Sequence, residues 1–112
     1  MIVAIIGSRS LSVDSFEKYV GGDDVIISGG ADGIDQCAVS YAIKNGIAYE
    51  EILPDYKKYG KAAPIIRNKE IVRRADKIIA FWDGKSRGTL FTVNYAKGLG
   101  VPCEIILMNK NP

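Results

Sequence analysis

Histidine is absent from the 112-residue sequence. Because histidine is the usual general base near neutral pH and the commonest metal ligand, any catalysis would depend on carboxylates, lysine, tyrosine or fixed dipoles. Cysteine is scarce as well: Cys37 and Cys103 are far apart and match no metal-binding or Cys-x-x-Cys spacing. Their apolar neighbours favour small buried side chains over metal or redox chemistry. We therefore expect neither a metal ion nor a cofactor.

The sequence also lacks long apolar runs and a strong excess of charge. No stretch approaches the roughly 20 apolar residues that span a membrane, and the apolar start ends at Gly7, too soon for a signal peptide. We therefore expect a cytoplasmic protein with no membrane partner. The formal net charge of +2, from 15 basic and 13 acidic residues, is too balanced to indicate nucleic acid as a partner. The length predicts one domain, residues 1–112, with a single core.

Short β-branched apolar runs alternate with helical patterns along the whole chain. Strands are predicted at residues 2–6, 25–27, 47–53, 77–82 and 103–108, the third being the weakest. Helices are predicted at residues 13–20, 34–45, about 62–75 and 88–99, with a polar loop around Tyr56 and Tyr59. Strands that are apolar throughout and separated by helices indicate a parallel sheet covered on both faces. The fold class predicted is a doubly wound, Rossmann-like α/β sandwich of about five strands.

Three polar, glycine-rich segments follow strands of this predicted sheet. Gly7-Ser8-Arg9 follows the first strand, Ser28-Gly29-Gly30-Ala31-Asp32-Gly33-Ile34-Asp35 the second, and Asp83-Gly84-Lys85-Ser86-Arg87-Gly88-Thr89 the fourth. Ligands of doubly wound folds bind beyond the carboxyl ends of the strands, where these segments would lie. The sequence therefore predicts one ligand cleft at this edge of the sheet.

The segment Ser86-Arg87-Gly88-Thr89 is predicted to open the last helix. Free backbone N–H groups and the positive dipole end of a helix suit an anion. Hydroxyl groups and Arg87 would add charge-assisted hydrogen bonds of about 1.5–3 kcal/mol each. Alternatively, Ser86 is only a helix N-cap and Arg87 is solvated. A second arginine, Arg9, on the neighbouring loop favours a phosphate site.

The turn from Ser28 to Asp35 contains three glycines and two carboxylates. Since each glycine costs backbone entropy on folding, the turn indicates close approach by another group, with a ligand as the leading candidate. Asp32 is a candidate N-cap of the following helix. The two carboxylates of the turn would repel a phosphate, so we expect the turn to face a ribose or another hydroxyl-bearing group. The dinucleotide fingerprint GxGxxG is absent, which argues against an ordinary NAD dehydrogenase.

Two polar residues lie in the third predicted helix. Asn68 is in the middle of its apolar face, where an amide must be hydrogen-bonded. It either ties down a neighbouring loop or reaches a ligand. Arg67 lies about a quarter-turn away, at the edge of that face, from which it can enter the cleft.

These motifs, in this order, resemble the YspA-like branch of the SLOG superfamily. Besides the glycine turns, the resemblance includes Tyr59-Gly60-Lys61-Ala62-Ala63-Pro64-x-x-Arg67-Asn68 and Ala75-Asp76 ahead of the fourth strand, and it spans nearly the full length. The superfamily is Rossmann-like and includes LOG phosphoribohydrolases, DprA/Smf DNA-binding proteins and domains thought to sense nucleotide-derived ligands. The resemblance implies a pocket for such a ligand at the glycine loops. Since relatives commonly pair, it is also compatible with a homodimer.

Three functions are compatible with these observations. The first is binding of a phosphorylated, ribose-containing ligand by a sensor or carrier domain. The ligand-binding residues predicted for it are Gly7, Ser8, Arg9, Ser28, Gly29, Gly30, Asp32, Asp35, Arg67, Asn68, Asp83, Ser86, Arg87, Gly88 and Thr89. Of the other two, DprA-like binding of single-stranded DNA is less favoured, because the charge of the chain is nearly balanced.

The second function is hydrolysis or group transfer at a nucleotide's ribose. By resemblance to the LOG enzymes, Arg67 matches their helix arginine and Gly88-Thr89 matches their Gly-Thr pair. Their glutamate would fall near Phe91 or Thr92, and neither is acidic. The resemblance therefore does not carry the LOG mechanism over. The candidate catalytic residues are Arg67 and the carboxylates of Asp35, Glu70 and Asp83.

Overall fold

A computed structural model describes residues 1–109 of the chain. In this part of the chain the strands are β1 (Ile2–Gly7), β2 (Val25–Ser28), β3 (Ala48–Glu51), β4 (Lys77–Trp82) and β5 (Cys103–Leu107). The helices are α1 (Ile34–Asn45), α2 (Tyr56–Tyr59), α3 (Ala63–Arg74) and α4 (Arg87–Leu99), with a 3-10 turn at Gly60–Ala62. No helix of residues 1–109 combines the length and the apolar character that crossing a membrane requires.

All five strands are parallel and lie in the order β3-β2-β1-β4-β5. This is the predicted doubly wound, Rossmann-like α/β arrangement. The chain leaves β1 toward β2 on one side of the sheet, and it leaves β4 toward β5 on the other side. The strand order therefore reverses between β1 and β4, which pair over five positions from Val3 opposite Lys77 to Gly7 opposite Phe81.

Alternate side chains of the central strands enter two apolar clusters, one on each face of the sheet. On one face Val3 and Ile5 pack with Ile34, Ala38 and Ala42 of α1. The opposite cluster includes Ala4 and Ile6 of β1 together with residues of α3 and α4, namely Ile71, Val72, Val93 and Ala96. The central strands β1, β2 and β4 are mostly apolar because both of their faces are covered, whereas the edge strand β3 (Ala48–Glu51) is exposed along its whole length.

The helix predicted over residues 13–20 is wrong. The segment is irregular apart from one turn, in which the N–H groups of Tyr19 and Val20 donate to the Phe16 carbonyl oxygen at 2.9 and 3.0 Å. An eight-residue helix is marginal by itself, and Ser12 and Ser15 belong to a residue type that competes for backbone hydrogen bonds. The segment still covers the sheet, because Phe16 is fully buried. Its ring packs edge-on against Tyr41 and Phe81, with centroids 5.6 and 5.4 Å apart.

The other predicted elements form, with small differences at their ends. The third strand is shorter than predicted, at Ala48–Glu51, and the loop around Tyr56 and Tyr59 contains the short helix α2. Helix α4 starts one residue earlier than predicted, at Arg87, and β5 ends at Leu107. Helix α1 ends at Asn45 as predicted, because Gly46 takes a left-handed conformation (φ 66°) and its N–H donates to the Ala42 carbonyl.

Replacement of Phe16 by alanine tests whether the irregular segment over residues 13–20 contributes to the core as a helix would. Loss of this buried ring should lower the free energy of unfolding by about 3–5 kcal/mol. Urea unfolding of Phe16→Ala measures the loss, and Glu17→Ala, at the exposed neighbour, is the control and should change little. A loss below about 1 kcal/mol in Phe16→Ala would show that the segment is not part of the core.

Candidate functional site

The carboxyl ends of β1 and β4 open into a cleft of about 420 Å³, at the reversal of strand order. A cleft of this size is in the range of small-molecule sites, about 300–1,000 Å³. Most of the residues predicted from the sequence line it: Gly7, Ser8, Arg9, Asp35, Arg67, Asn68, Asp83, Ser86, Gly88 and Thr89.

Several predicted residues do not line this cleft. Gly29, Gly30 and Asp32 line an adjacent cavity of about 280 Å³, whose wall also contains Arg9, Ala31 and Arg67. Ser28 is fully buried beneath the turn, where its hydroxyl donates to the Asp35 carbonyl oxygen at 3.2 Å.

Two further predictions, Arg87 and Glu70, also fall outside the main cleft. The side chain of Arg87 is exposed at the first residue of α4, as the solvated alternative expected. Glu70 is exposed on α3 and lies 3.7 Å from Arg74. The structure therefore removes Glu70 from the carboxylates that face the main cleft.

The cleft also contains residues that the sequence did not indicate: Ile6, Ser10, Ala31, Pro64, Ile71 and Thr92. Thr92 had a usable signal, because it lies three residues after Thr89 and so on the same side of the helix. Ile6 and Ile71 also belong to the apolar core, and their pattern is that of any buried aliphatic residue.

Asp83 organises the loop between β4 and α4. Its Oδ1 accepts from the N–H groups of Lys85 and Ser86, both at 2.8 Å, and its Oδ2 accepts from the Ser10 hydroxyl at 3.0 Å. Its own N–H donates to the buried Ser8 hydroxyl at 3.1 Å. The backbone hydrogen bonds from Lys85 and Ser86 are the main cause that lowers the pKa of Asp83 to about 2. Asp83 is thus a structural carboxylate and a poor general acid or base.

The first turn of α4 presents hydroxyls and open backbone to the cleft. Ser86 is the N-cap, since its Oγ accepts from the Thr89 N–H at 3.3 Å, and it donates to the Thr89 hydroxyl oxygen at 3.1 Å. The Trp82 indole N–H holds this turn by donating to the Ser86 carbonyl at 3.0 Å. A Cβ at Gly88 would meet no atom within 4 Å, so the backbone there lies open to whatever enters the cleft.

Arg67 is a half-buried cation whose hydrogen-bond acceptors are neutral. Its Nε donates to the Asn68 side-chain oxygen at 2.7 Å, and a terminal nitrogen donates to the Gly29 carbonyl oxygen. Among residues 1–109 it forms no salt bridge. Burial lowers the pKa of Arg67, and the charge of Asp35 partly opposes this shift. The Asn68 amide thus orients a neighbouring arginine, and because it also lines the cleft, its predicted contact with a ligand stays a prediction.

Asp35 is a buried carboxyl group in the wall of the cleft. It is 6% exposed, and its Oδ2 accepts from the Ala31 N–H at 3.1 Å. Burial is the main cause that raises the pKa of Asp35 to about 6, although the Ala31 hydrogen bond and the Arg67 charge oppose the shift. Asp35 is therefore the carboxylate of this cleft that titrates closest to neutral pH.

The glycines of the turn make room for groups of the protein itself. A Cβ at Gly29 would lie 2.7 Å from an Arg67 nitrogen, and one at Gly33 would lie 2.7 Å from the Arg9 Cα. Gly33 is also the N-cap of α1, with φ 76°, so the prediction that Asp32 caps this helix is wrong. The close approach that the glycines indicated is thus accounted for by Arg67 at Gly29, by the Arg9 backbone at Gly33 and by the Leu53 side chain at Gly30.

The chain matches no protein-family model, and no curated protein is significantly similar to it.

Replacement of Asp35 by asparagine tests whether burial of the ionised Asp35 carboxylate lowers the stability of the fold. Its folded pKa of about 6 lies above the ordinary 3.8, so the folded state loses stability as the pH rises between these values. Asp35→Asn should therefore be more stable than the unmodified chain at about pH 8, by up to about 3 kcal/mol, and show little of this gain at about pH 4. Urea unfolding at both pH values measures the difference. An equal effect of the substitution at the two pH values would contradict this assignment.

Proposed function

We propose that the main cleft binds a phosphorylated, ribose-containing small molecule, as a sensor or carrier of a nucleotide-derived ligand. The observation that supports this most is Arg67, a half-buried guanidinium that lines the cleft with neutral hydrogen-bond partners. Taking a cation out of water is costly unless an opposite charge compensates it. A phosphate in the cleft would supply that charge.

The rest of the wall supports an anion at the start of α4. The first N–H groups of a helix have no intrahelical acceptor; in α4 the Ser86 hydroxyl accepts that of Thr89, and those of Arg87 and Gly88 are left for a ligand. The helix dipole adds about 0.3–1 kcal/mol, and each charge-assisted hydrogen bond adds about 1.5–3 kcal/mol. Asp83, whose pKa is lowered to about 2, stays ionised beside this turn, so Arg67 and the free N–H groups have to outweigh its repulsion of the phosphate.

The resemblance to the YspA-like branch of the SLOG superfamily supports the same class of ligand. The residues that carry it, Gly7-Ser8-Arg9, Arg67-Asn68 and Gly88-Thr89, meet in one cleft although they are far apart in sequence. A cytoplasmic location and a homodimer stay predictions of the sequence.

Gly88→Ala tests the phosphate site without removing a contact of the fold. An added methyl group has open space, so the variant should be as stable or up to about 1 kcal/mol more stable. It should nevertheless weaken binding of ribose 5-phosphate or AMP about tenfold or more, because the methyl group occupies the approach to the helix N–H groups. Isothermal titration calorimetry measures binding, and thermal unfolding measures stability.

Gly98→Ala is the matched control, since Gly98 lies in the same helix with equally open space but outside the cleft. It should bind like the unmodified chain. Equal affinity of Gly88→Ala and Gly98→Ala would place the phosphate elsewhere. If neither compound nor other ribose phosphates bind the unmodified chain at millimolar concentration, the proposed function is wrong.

Catalysis at the ribose is a second candidate function, favoured by Asp35 alone. A buried carboxyl group with a pKa of about 6 in a cleft is suited to proton transfer near neutral pH. If the domain is an enzyme, incubation with AMP should release free base or another product, detected by chromatography, and Asp35→Asn should abolish the release. Tight binding with quantitative return of unchanged ligand would exclude this candidate for that ligand.

A further inference from the structure

A second cavity adjoins the main cleft, and the proposed function does not use it. It measures about 280 Å³ and has Arg9, Ala31 and Arg67 in common with the wall of the main cleft. The guanidinium of Arg67 lies against the Gly29 carbonyl between the two. A ligand that reaches Arg67 from the α4 side can therefore extend past it into this second space.

The wall of the second cavity differs in chemistry from the phosphate side. The Gly29–Ala31 backbone forms one part without large side chains, and Pro54 and the Tyr56 ring form another. Tyr56 is 59% exposed, so its ring offers much of its surface to a partner. An exposed aromatic ring beside open backbone and planar guanidinium groups fits another aromatic ring better than a sugar.

Asp32 adds an acceptor to this wall. Its carboxylate is exposed, forms no salt bridge within residues 1–109, and does not cap α1, which starts from Gly33 without a side-chain cap. A carboxylate here disfavours a second phosphate and favours a group with N–H donors. Planar guanidinium groups, as on Arg9 and Arg67, also stack on aromatic rings.

We infer that the second cavity is the subsite for a nucleobase, stacked on Tyr56 and hydrogen-bonded through its N–H donors to Asp32, while the phosphate of the same ligand lies at α4. This inference rests on the proposed function, because it extends the ligand whose phosphate end occupies the main cleft. The ligand class is thereby narrowed from ribose phosphates in general to nucleotides that keep their base.

Titration calorimetry with ribose 5-phosphate, AMP and GMP separates the two ends of the ligand. Ribose 5-phosphate carries the phosphate end alone. At least one of the two nucleotides should bind about tenfold more tightly than it does, the gain typical of one stacked base. Tyr56→Ala should remove this advantage without changing the affinity for ribose 5-phosphate, and Tyr56→Phe should keep most of it.

Two further variants identify the acceptor and control for the short helix. Asp32→Asn should weaken binding of the preferred nucleotide several-fold more than it weakens binding of ribose 5-phosphate. Tyr59→Ala removes an exposed ring from the same helix that lies outside this cavity, and it should change neither affinity. Thermal unfolding of each variant shows whether the fold is retained.

The results distinguish failure of the subsite from failure of the proposed function. If ribose 5-phosphate binds and both nucleotides bind no more tightly, or if Tyr56→Ala keeps the full advantage, the nucleobase subsite is wrong while the phosphate site stands. If none of the three compounds binds, the proposed function fails and the subsite fails with it.

Discussion

The pairing of β1 with β4 is the contact on which the rest of the structure depends. It joins the two halves of the sheet. The chain runs from β1 toward β2 on one side of this pair and from β4 toward β5 on the other side. Because right-handed crossovers then place α1 on one face and α3 and α4 on the other, a gap opens where the two strands end. Ser8 and Asp83 connect the edges of this gap by a partly buried hydrogen bond of 3.1 Å. A Cβ at Gly7 would lie 2.7 Å from the Phe81 carbonyl oxygen, so only a residue without a side chain fits at this end of β1.

Charged groups around the gap are held in three different ways. Asp83 keeps its charge because three donors surround its carboxylate, and this stabilisation removes it from proton transfer near neutral pH. Asp35 is buried with fewer donors, so its pKa rises to about 6. Arg67 keeps its charge although burial disfavours it, and its bonded partners are neutral. The cleft thus contains one satisfied anion, one titratable acid and, near that acid, one cation that forms no salt bridge within residues 1–109, an arrangement suited to an anionic ligand.

How far the sequence predicted this structure depends on the range of the interactions. The strands and three of the helices follow from local periodicity, and Gly46 closes α1 by a property of one residue. Residues 13–20 have a helical pattern, yet Phe16 is held by Tyr41 and Phe81, contacts that no short window contains. Most of the cleft was predictable because parallel strands end at the same edge. The contributions of Ile6 and Ile71 were not, since aliphatic residues in a cleft wall and in a core have the same pattern.

The glycine-rich turn shows that composition alone does not tell which group approaches a glycine. Its glycines indicated a ligand, and the nearest groups are those of the protein. At Gly29 a side chain would overlap both the Arg67 guanidinium, at 2.7 Å, and the Asp35 carboxylate, at 3.0 Å. The carbonyl of the same residue accepts from Arg67, which is 38 residues away in sequence. Glycine at this position therefore allows a cation and an acid to meet without forming a salt bridge, and it fixes the cation where the two cavities adjoin. In the proposed function, the turn therefore acts on the ligand through the position that it gives Arg67.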